Sequence, residues 1–113
     1  MAASIINLEE GMPRTDAAMM RLKLELATLR RCGVKCVKII HGYGSTGTGG
    51  AIRIAARNYL REQQQESRIR AFCPGEQFGP FETVGRKIIQ LMPSFRHDPD
   101  WGRQNDGITM VVI

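Results

Sequence analysis

Between residues 34 and 60 the chain passes from an apolar, partly β-branched run, Val34 to His41, into a nine-residue segment with five glycines, and then into an amphipathic pattern. Val37, Ile39 and Ile40 give the first stretch strand character, and its mixed run suits a central, mostly buried strand. After the segment Gly42-Tyr43-Gly44-Ser45-Thr46-Gly47-Thr48-Gly49-Gly50, apolar residues recur at Ile52, Ala55, Ala56, Tyr59 and Leu60. That spacing is i, i+3, i+4, i+7 and i+8, one face of a helix. Strand, glycine loop and helix in this order constrain the chain to an α/β layer arrangement.

The flanking segments extend the alternation. Ser4 to Asn7 and Leu8 read as a first strand. Met19, Leu22, Leu26 and Leu29 mark a first helix. Thr15 is placed to cap its start, Asp16 suits the positive end of its dipole, and Gly33 supplies its stop. Ile69 to Cys73 predicts a third strand, ended by Pro74-Gly75, and Ile108 to Ile113 a last, buried one. Within residues 74–107, Thr83 to Met92 predicts a further helix. Phe95 to Asp106 is expected to run over the surface, with Phe95 and Trp101 as anchors. The expected fold is an α/β two-layer sandwich: a four-stranded mixed sheet, two main helices and an extra helical excursion, about 76–106, before the last strand. Its 113 residues are expected to form a single domain.

Charge is uneven. Residues 14–70 hold 12 of the 16 Lys/Arg and 4 of the 11 Asp/Glu, a local charge of +8 within a total of +5. A basic middle suits an anionic partner, nucleic acid being the commonest, although a solvated basic surface has the same composition. No apolar run approaches the ~20 residues that span a bilayer, so no membrane partner is expected. No charged n-region with an apolar h-region opens the chain. Cys32, Cys36 and Cys73 form no CxxC pair, and reduced thiols in a cytoplasmic protein are expected.

Gly42, Gly44 and Gly47 satisfy GxGxxG, but the acidic residue of a dinucleotide site is missing from the end of the next strand, which reads Cys73-Pro74-Gly75. The helix start is Gly49-Gly50-Ala51 and lacks the Lys-Ser/Thr of a phosphate-binding P-loop. No nucleotide cofactor is therefore expected. The loop can still present backbone amides to a phosphate, because glycines permit close approach and a helix N-terminus follows. Arg53, Arg57 and Arg61 fall at i, i+4 and i+8, a stripe down the outer face of that helix. Gly42, Gly44, Gly47, Gly49, Gly50 and these arginines are the candidate nucleic-acid contacts. A tight strand-to-helix turn beside solvated arginines is the plainer alternative. His41, at the strand end, is a candidate proton donor or phosphate ligand, or else a structural residue bonded to the loop backbone. His97, Asp98 and Asp100 look like hard-metal ligands, but without a second cluster they read better as an Asx-stabilised turn, and no metal site is assigned.

Ile39-Ile40-His41-Gly42-Tyr43-Gly44, followed by more glycine and Ile52-Arg53, resembles the central motif of small MutS-related (Smr) domains. The resemblance implies a compact α/β sandwich with a four-stranded sheet, and binding of branched or structured DNA or RNA, with endonuclease activity in some members. The family's other motif, Leu-Asp-x-His-Gly, corresponds here to the stretch Ile6-Asn7-Leu8-Glu9. Asn7 stands where Asp is usual and Glu9 where His is usual, so the resemblance makes Glu9, with His41, the catalytic candidate and weakens the expectation of cleavage. A divalent metal is the cofactor a nuclease reading would carry. A protein-interaction or structural module that keeps the fold without the nuclease is the alternative.

Overall fold

The computed structural model describes residues 2–43 and 47–113. Four strands, β1 (Ser4–Asn7), β2 (Cys36–Ile40), β3 (Ala71–Pro74) and β4 (Ile108–Val112), form one sheet in the order β1-β2-β4-β3. β1 and β2 run parallel, with Asn7 opposite Ile40. β4 is inserted antiparallel between β2 and β3, with Ile108 opposite Ile40 and Val112 opposite Cys36 and Ala71. The sheet is therefore mixed. β4 is antiparallel to β3 because the excursion leaves the sheet at Pro74 and returns the chain at Ile108, at the same end.

Helices α1 (Thr15–Arg31) and α2 (Gly47–Gln65) join β1 to β2 and β2 to β3. Their apolar stripes, Ala18, Leu22 and Leu26 from α1 and Ile52, Ala56 and Leu60 from α2, pack on Ile6, Val37, Ile39 and Val111 of the sheet. These are alternate strand positions, as burial of one face requires. Thr15 is the first helical residue and Arg14 occupies the cap position without a side-chain bond. The other end follows the sequence: Gly33, at φ 78°, lets its own N–H reach Arg30 O and that of Val34 reach Leu29 O, a Schellman closure.

The opposite face is covered over β2, β3 and β4 by the excursion, which contains α3 (Thr83–Leu91) and short 3₁₀ turns at Gly75–Gln77 and Pro93–His97. Phe95 is buried and meets Phe78 edge-on at 5.9 Å, while Phe78 meets Trp101 at 5.0 Å. The stretch expected to lie over the surface thus supplies part of a second core with Cys73, Ile88, Met110 and Val112. Lys38 points to this face and is buried. Its Nζ lies 2.7 Å from Asp98 Oδ1 and 2.5 Å from Asp100 Oδ2. The Asp100 amide donates to Asp98 Oδ1, so the segment is an Asx turn that clamps a lysine. Burial disfavours the charged ammonium, but the two aspartates outweigh it and raise the Lys38 pKa. All three cysteines are free thiols. No helix among the described residues is long and apolar enough to cross a membrane.

Candidate nucleic-acid interface

The parallel pairing of β1 and β2 brings their C-terminal ends together, and the Leu8 amide extends the ladder by donating to Ile40 O at 2.7 Å. Just beyond lie Glu9 and Gly42. Gly42 has φ 83°, and a methyl group on it would come 2.6 Å from Glu9 Oε2. The carboxylate of Glu9 therefore rests against the start of the glycine segment. Asn7 fixes this approach: its Oδ1 accepts the Glu9 amide at 2.9 Å, and Arg21 Nη1 donates to Glu10 O at 2.9 Å.

His41 is 1% exposed. Its Nδ1 lies 3.0 Å from Gly42 O and its Nε2 2.9 Å from Thr109 Oγ1. A carbonyl oxygen can only accept, so Nδ1 carries the proton and Nε2 accepts from the Thr109 hydroxyl. Thr109 Oγ1 in turn accepts from Arg57 Nε at 3.2 Å. Arg57 closes the chain with two 2.8 Å bonds to the Glu76 carboxylate. Desolvation by burial, aided by the charges of Arg57 and Arg53, pushes the His41 pKa down to about 4 despite the Gly42 bond. The imidazole is neutral near pH 7, with both nitrogens engaged. Burial works against ionised Glu76, but its bonds to Arg57 prevail and lower its pKa.

Arg57 therefore does not lie on the outer face of α2 as the spacing suggests. Its side chain is 14% exposed and turns toward the sheet, where Nη2 also reaches Ile108 O and Asp106 O. A guanidinium has five donors, and the strand ends offer the carbonyls that take them. Arg53 donates to Tyr43 O at 3.2 Å and pairs with Asp106 at 3.3 Å. Arg61 is exposed and bonds Asn58. The helical reading was correct, but the three arginines have three different environments.

Gly47, Gly49 and Gly50 belong to the first turn of α2, which begins inside the glycine run, while Gly44 lies outside the described residues. The Gly107 carbonyl accepts the amides of both His41 and Gly42 at 3.0 Å, which pins the loop's entry to the start of β4. Gly107 is held by Asn105 Oδ1, and Asn105 Nδ2 donates to Asp100. The loop entry is thus tied through one asparagine to the lysine clamp on the other face.

Thr109, Glu76, Asp106 and Asn105 have no signal in a motif. A threonine in an otherwise apolar last strand is the one sequence feature that could have suggested a buried polar partner. Tyr43, 60% exposed beside Gly107, is a further surface group at this end. Among the described residues no group of three or more His, Cys, Asp or Glu side chains is placed to hold a metal ion.

A comparison with curated proteins finds no match. Among solved structures, the crystal structure of the Smr domain of Thermus thermophilus MutS2 superposes with a TM-score of 0.60 at 21% identity, covering 97% of this chain and 96% of that one. The likeness is one of fold. The family model for the Smr domain matches residues 10–79, from the approach to α1 through α2 and β3. It begins after Glu9, so the departures at Asn7 and Glu9 lie outside the match. With more than half of its length matched and the whole fold shared, the chain belongs to the Smr domain family.

Proposed function

We propose that this Smr domain binds DNA or RNA at the end of the sheet where the glycine segment lies. The observation that carries the reading is the convergence there of Glu9, Gly42, Tyr43, Arg53 and the N-terminus of α2. Free amides at a helix start and a guanidinium beside them favour a phosphate, and an exposed tyrosine offers a face on which a base can stack. In this reading Arg53 and the amides of Gly47, Gly49 and Gly50 hold the phosphate. Gly42 allows the close approach of Glu9, and Arg61 extends the track. His41 and Arg57 act as positioning residues, because their polar atoms are already committed within the fold. Cleavage, where it occurs, uses the Glu9 carboxylate as the base nearest the bound backbone.

The acidic partners of Arg53 and Arg57 favour the second reading, a module that keeps the fold for protein contacts. One experiment separates the two. The protein is incubated with labelled single-stranded, duplex and branched DNA and RNA, with and without Mg²⁺ or Mn²⁺, and both binding and cleavage are read. Binding that weakens steeply with salt supports the nucleic-acid reading. No binding to any of these substrates at low salt leaves the interaction module.

A further inference from the structure

The end of the sheet opposite the glycine segment has a different charge pattern. α1 and α2 finish there, β2 and β3 begin there, and the turns 32–35 and 66–70 flank the end of β4. The Ile113 amide donates to Lys35 O and the Arg70 amide to Val112 O, each at 2.8 Å. The end of β4 therefore separates Lys35 from Arg70 by two strand spacings, ~10 Å. Arg68 N donates to Gln63 O, and Arg30 Nη2 reaches Gln63 Oε1 at 3.4 Å, which ties the end of α1 to the second turn.

Arg30, Arg31, Lys35, Arg68 and Arg70 thus fringe one end of the molecule, with Glu62 and Glu66 as the acidic residues nearby. Among the described residues this fringe holds one ion pair, Arg68 with Glu66 at 3.8 Å, and both side chains are more than half exposed. Among the described residues, Arg31, Lys35 and Arg70 are exposed and form no ion pair within 4.0 Å. Arg30 Nε is buried without a partner. Lys23 lies over the Tyr59 ring at 5.4 Å and continues the basic surface up the helices. The glycine end is different, since Arg53 faces Asp106 there and Arg57 faces Glu76. Long-range attraction of a polyanion depends on uncompensated charge. Three exposed cations of this kind, Arg31, Lys35 and Arg70, are gathered at the far end from the motif, whereas the two arginines nearest the glycine segment on α2 are paired.

We infer that this fringe is a second nucleic-acid surface, one that tracks the phosphate backbone without reading sequence and supplies most of the salt-dependent affinity. The identity of the ligand rests on the function proposed above; the position of the surface does not. The ~10 Å between Lys35 and Arg70 covers about three phosphates of one strand at 3.4 Å per step. A single small anion would leave most of the fringe unused.

The test compares Arg31→Ala/Lys35→Ala/Arg70→Ala with Arg53→Ala in binding a 30-base-pair DNA duplex across a salt series, with thermal melting as the control for folding. The triple variant is expected to melt like the wild type, to bind at least tenfold more weakly at low salt, and to lower the slope of log K against log salt by about two to three units. Arg53→Ala is expected to lower it by about one. A triple variant with wild-type affinity and slope, beside a weakened Arg53→Ala, overturns the second surface and leaves the glycine-end reading intact. The reverse pattern supports the second surface and removes the glycine-end reading. Wild-type behaviour in both variants, or a wild type that does not bind the duplex, overturns the inference.

Discussion

The His41 ring and the Thr109 hydroxyl, from neighbouring antiparallel strands, form a 2.9 Å hydrogen bond in which the threonine donates. The Gly42 carbonyl sets the histidine tautomer, and the threonine oxygen, while it donates to Nε2, accepts from Arg57 Nε. Thr109→Val preserves shape while removing the donor to Nε2 and the acceptor for Arg57 Nε. It is expected to destabilise the protein by about 2 kcal/mol, within the range for buried polar atoms left unpaired. Nitrogen-15 spectra of the wild-type imidazole should show the proton on Nδ1, and urea unfolding of the variant checks the loss. A proton found on Nε2 would contradict this arrangement.

The depressed His41 pKa makes stability pH-dependent. The folded protein takes up the proton near pH 4 and the unfolded chain near 6.5, so between these values the unfolded state binds more protons. The contribution is complete above about pH 6.5 and is lost as the pH falls toward 4, amounting to about 3 kcal/mol. Asp100 and Glu76 also have lowered pKa values, so their contributions are present above the ordinary carboxylate range and are lost below it. Urea midpoints should already fall between about pH 6.5 and 5.5, above the range in which the unfolded carboxylates take up protons. A flat profile over that interval would mean that His41 is not held neutral.

Lys38→Met leaves the largely buried carboxylates of Asp98 and Asp100, in one turn, without their shared cation. The expected cost is about 3 kcal/mol, since removing one member of a buried pair strands the other charge. Adding Asp98→Asn and Asp100→Asn to Lys38→Met should recover part of it. Chemical unfolding of the single and triple variants measures the difference, and a triple variant less stable than the single would rule out stranded charge as the cause.

Gly42 and Gly75 differ in what surrounds them. A methyl group on Gly42 meets the mobile end of Glu9, although φ 83° strains any other residue. Gly42→Ala should fold, with a loss of about 1 kcal/mol from the left-handed backbone. A methyl group on Gly75 would fall on the backbone oxygens of Asn105 and Ile108, which cannot withdraw. Gly75→Ala should therefore cost about 3 kcal/mol or more, as overpacking against fixed backbone does. Melting temperatures of the two variants rank them.

Glu9→Gln keeps the size of the side chain beside Gly42 and removes the base. If the protein cleaves nucleic acid, this variant should bind as the wild type does and cleave at least a hundredfold more slowly. Arg53→Ala should weaken binding, whereas Arg86→Ala should not, because Arg86 is occupied with Pro80 O and Thr83 in the excursion. Gel-based cleavage and binding assays on the same substrate distinguish these outcomes.

The order of strands and helices was legible because apolar period alone separates Val37 and Ile39 from the stripe Ile52, Ala56 and Leu60. The inward turn of Arg57 was not, since a periodic pattern treats every arginine as solvated, and only the placement of β4 supplies the carbonyls and Thr109 that hold it. The second core escaped notice for a similar reason: turn formers between Phe95 and Asp106 suggest a surface path, yet Phe78, Phe95 and Trp101 meet only after the chain has folded back. Lys38 did carry a usable signal. A lone lysine in a buried strand needs a counter-charge, and Asp98 and Asp100, read only as turn residues, supply it. Parallel pairing of β1 and β2 brings Glu9 and His41 to one end of the sheet, while the commitment of both His41 nitrogens depends on residue 109, far along the chain.

α2 begins in the glycine run and ends beside the basic fringe, and its 19 residues make a rod of about 28 Å at 1.5 Å per residue. Two surfaces joined by such a rod cannot slide relative to each other. At 3.4 Å per step, the rod is as long as about eight base pairs. If both surfaces take nucleic acid, the helix is a ruler: a straight duplex shorter than that would occupy one end or the other, and only a longer or branched one would engage both at once.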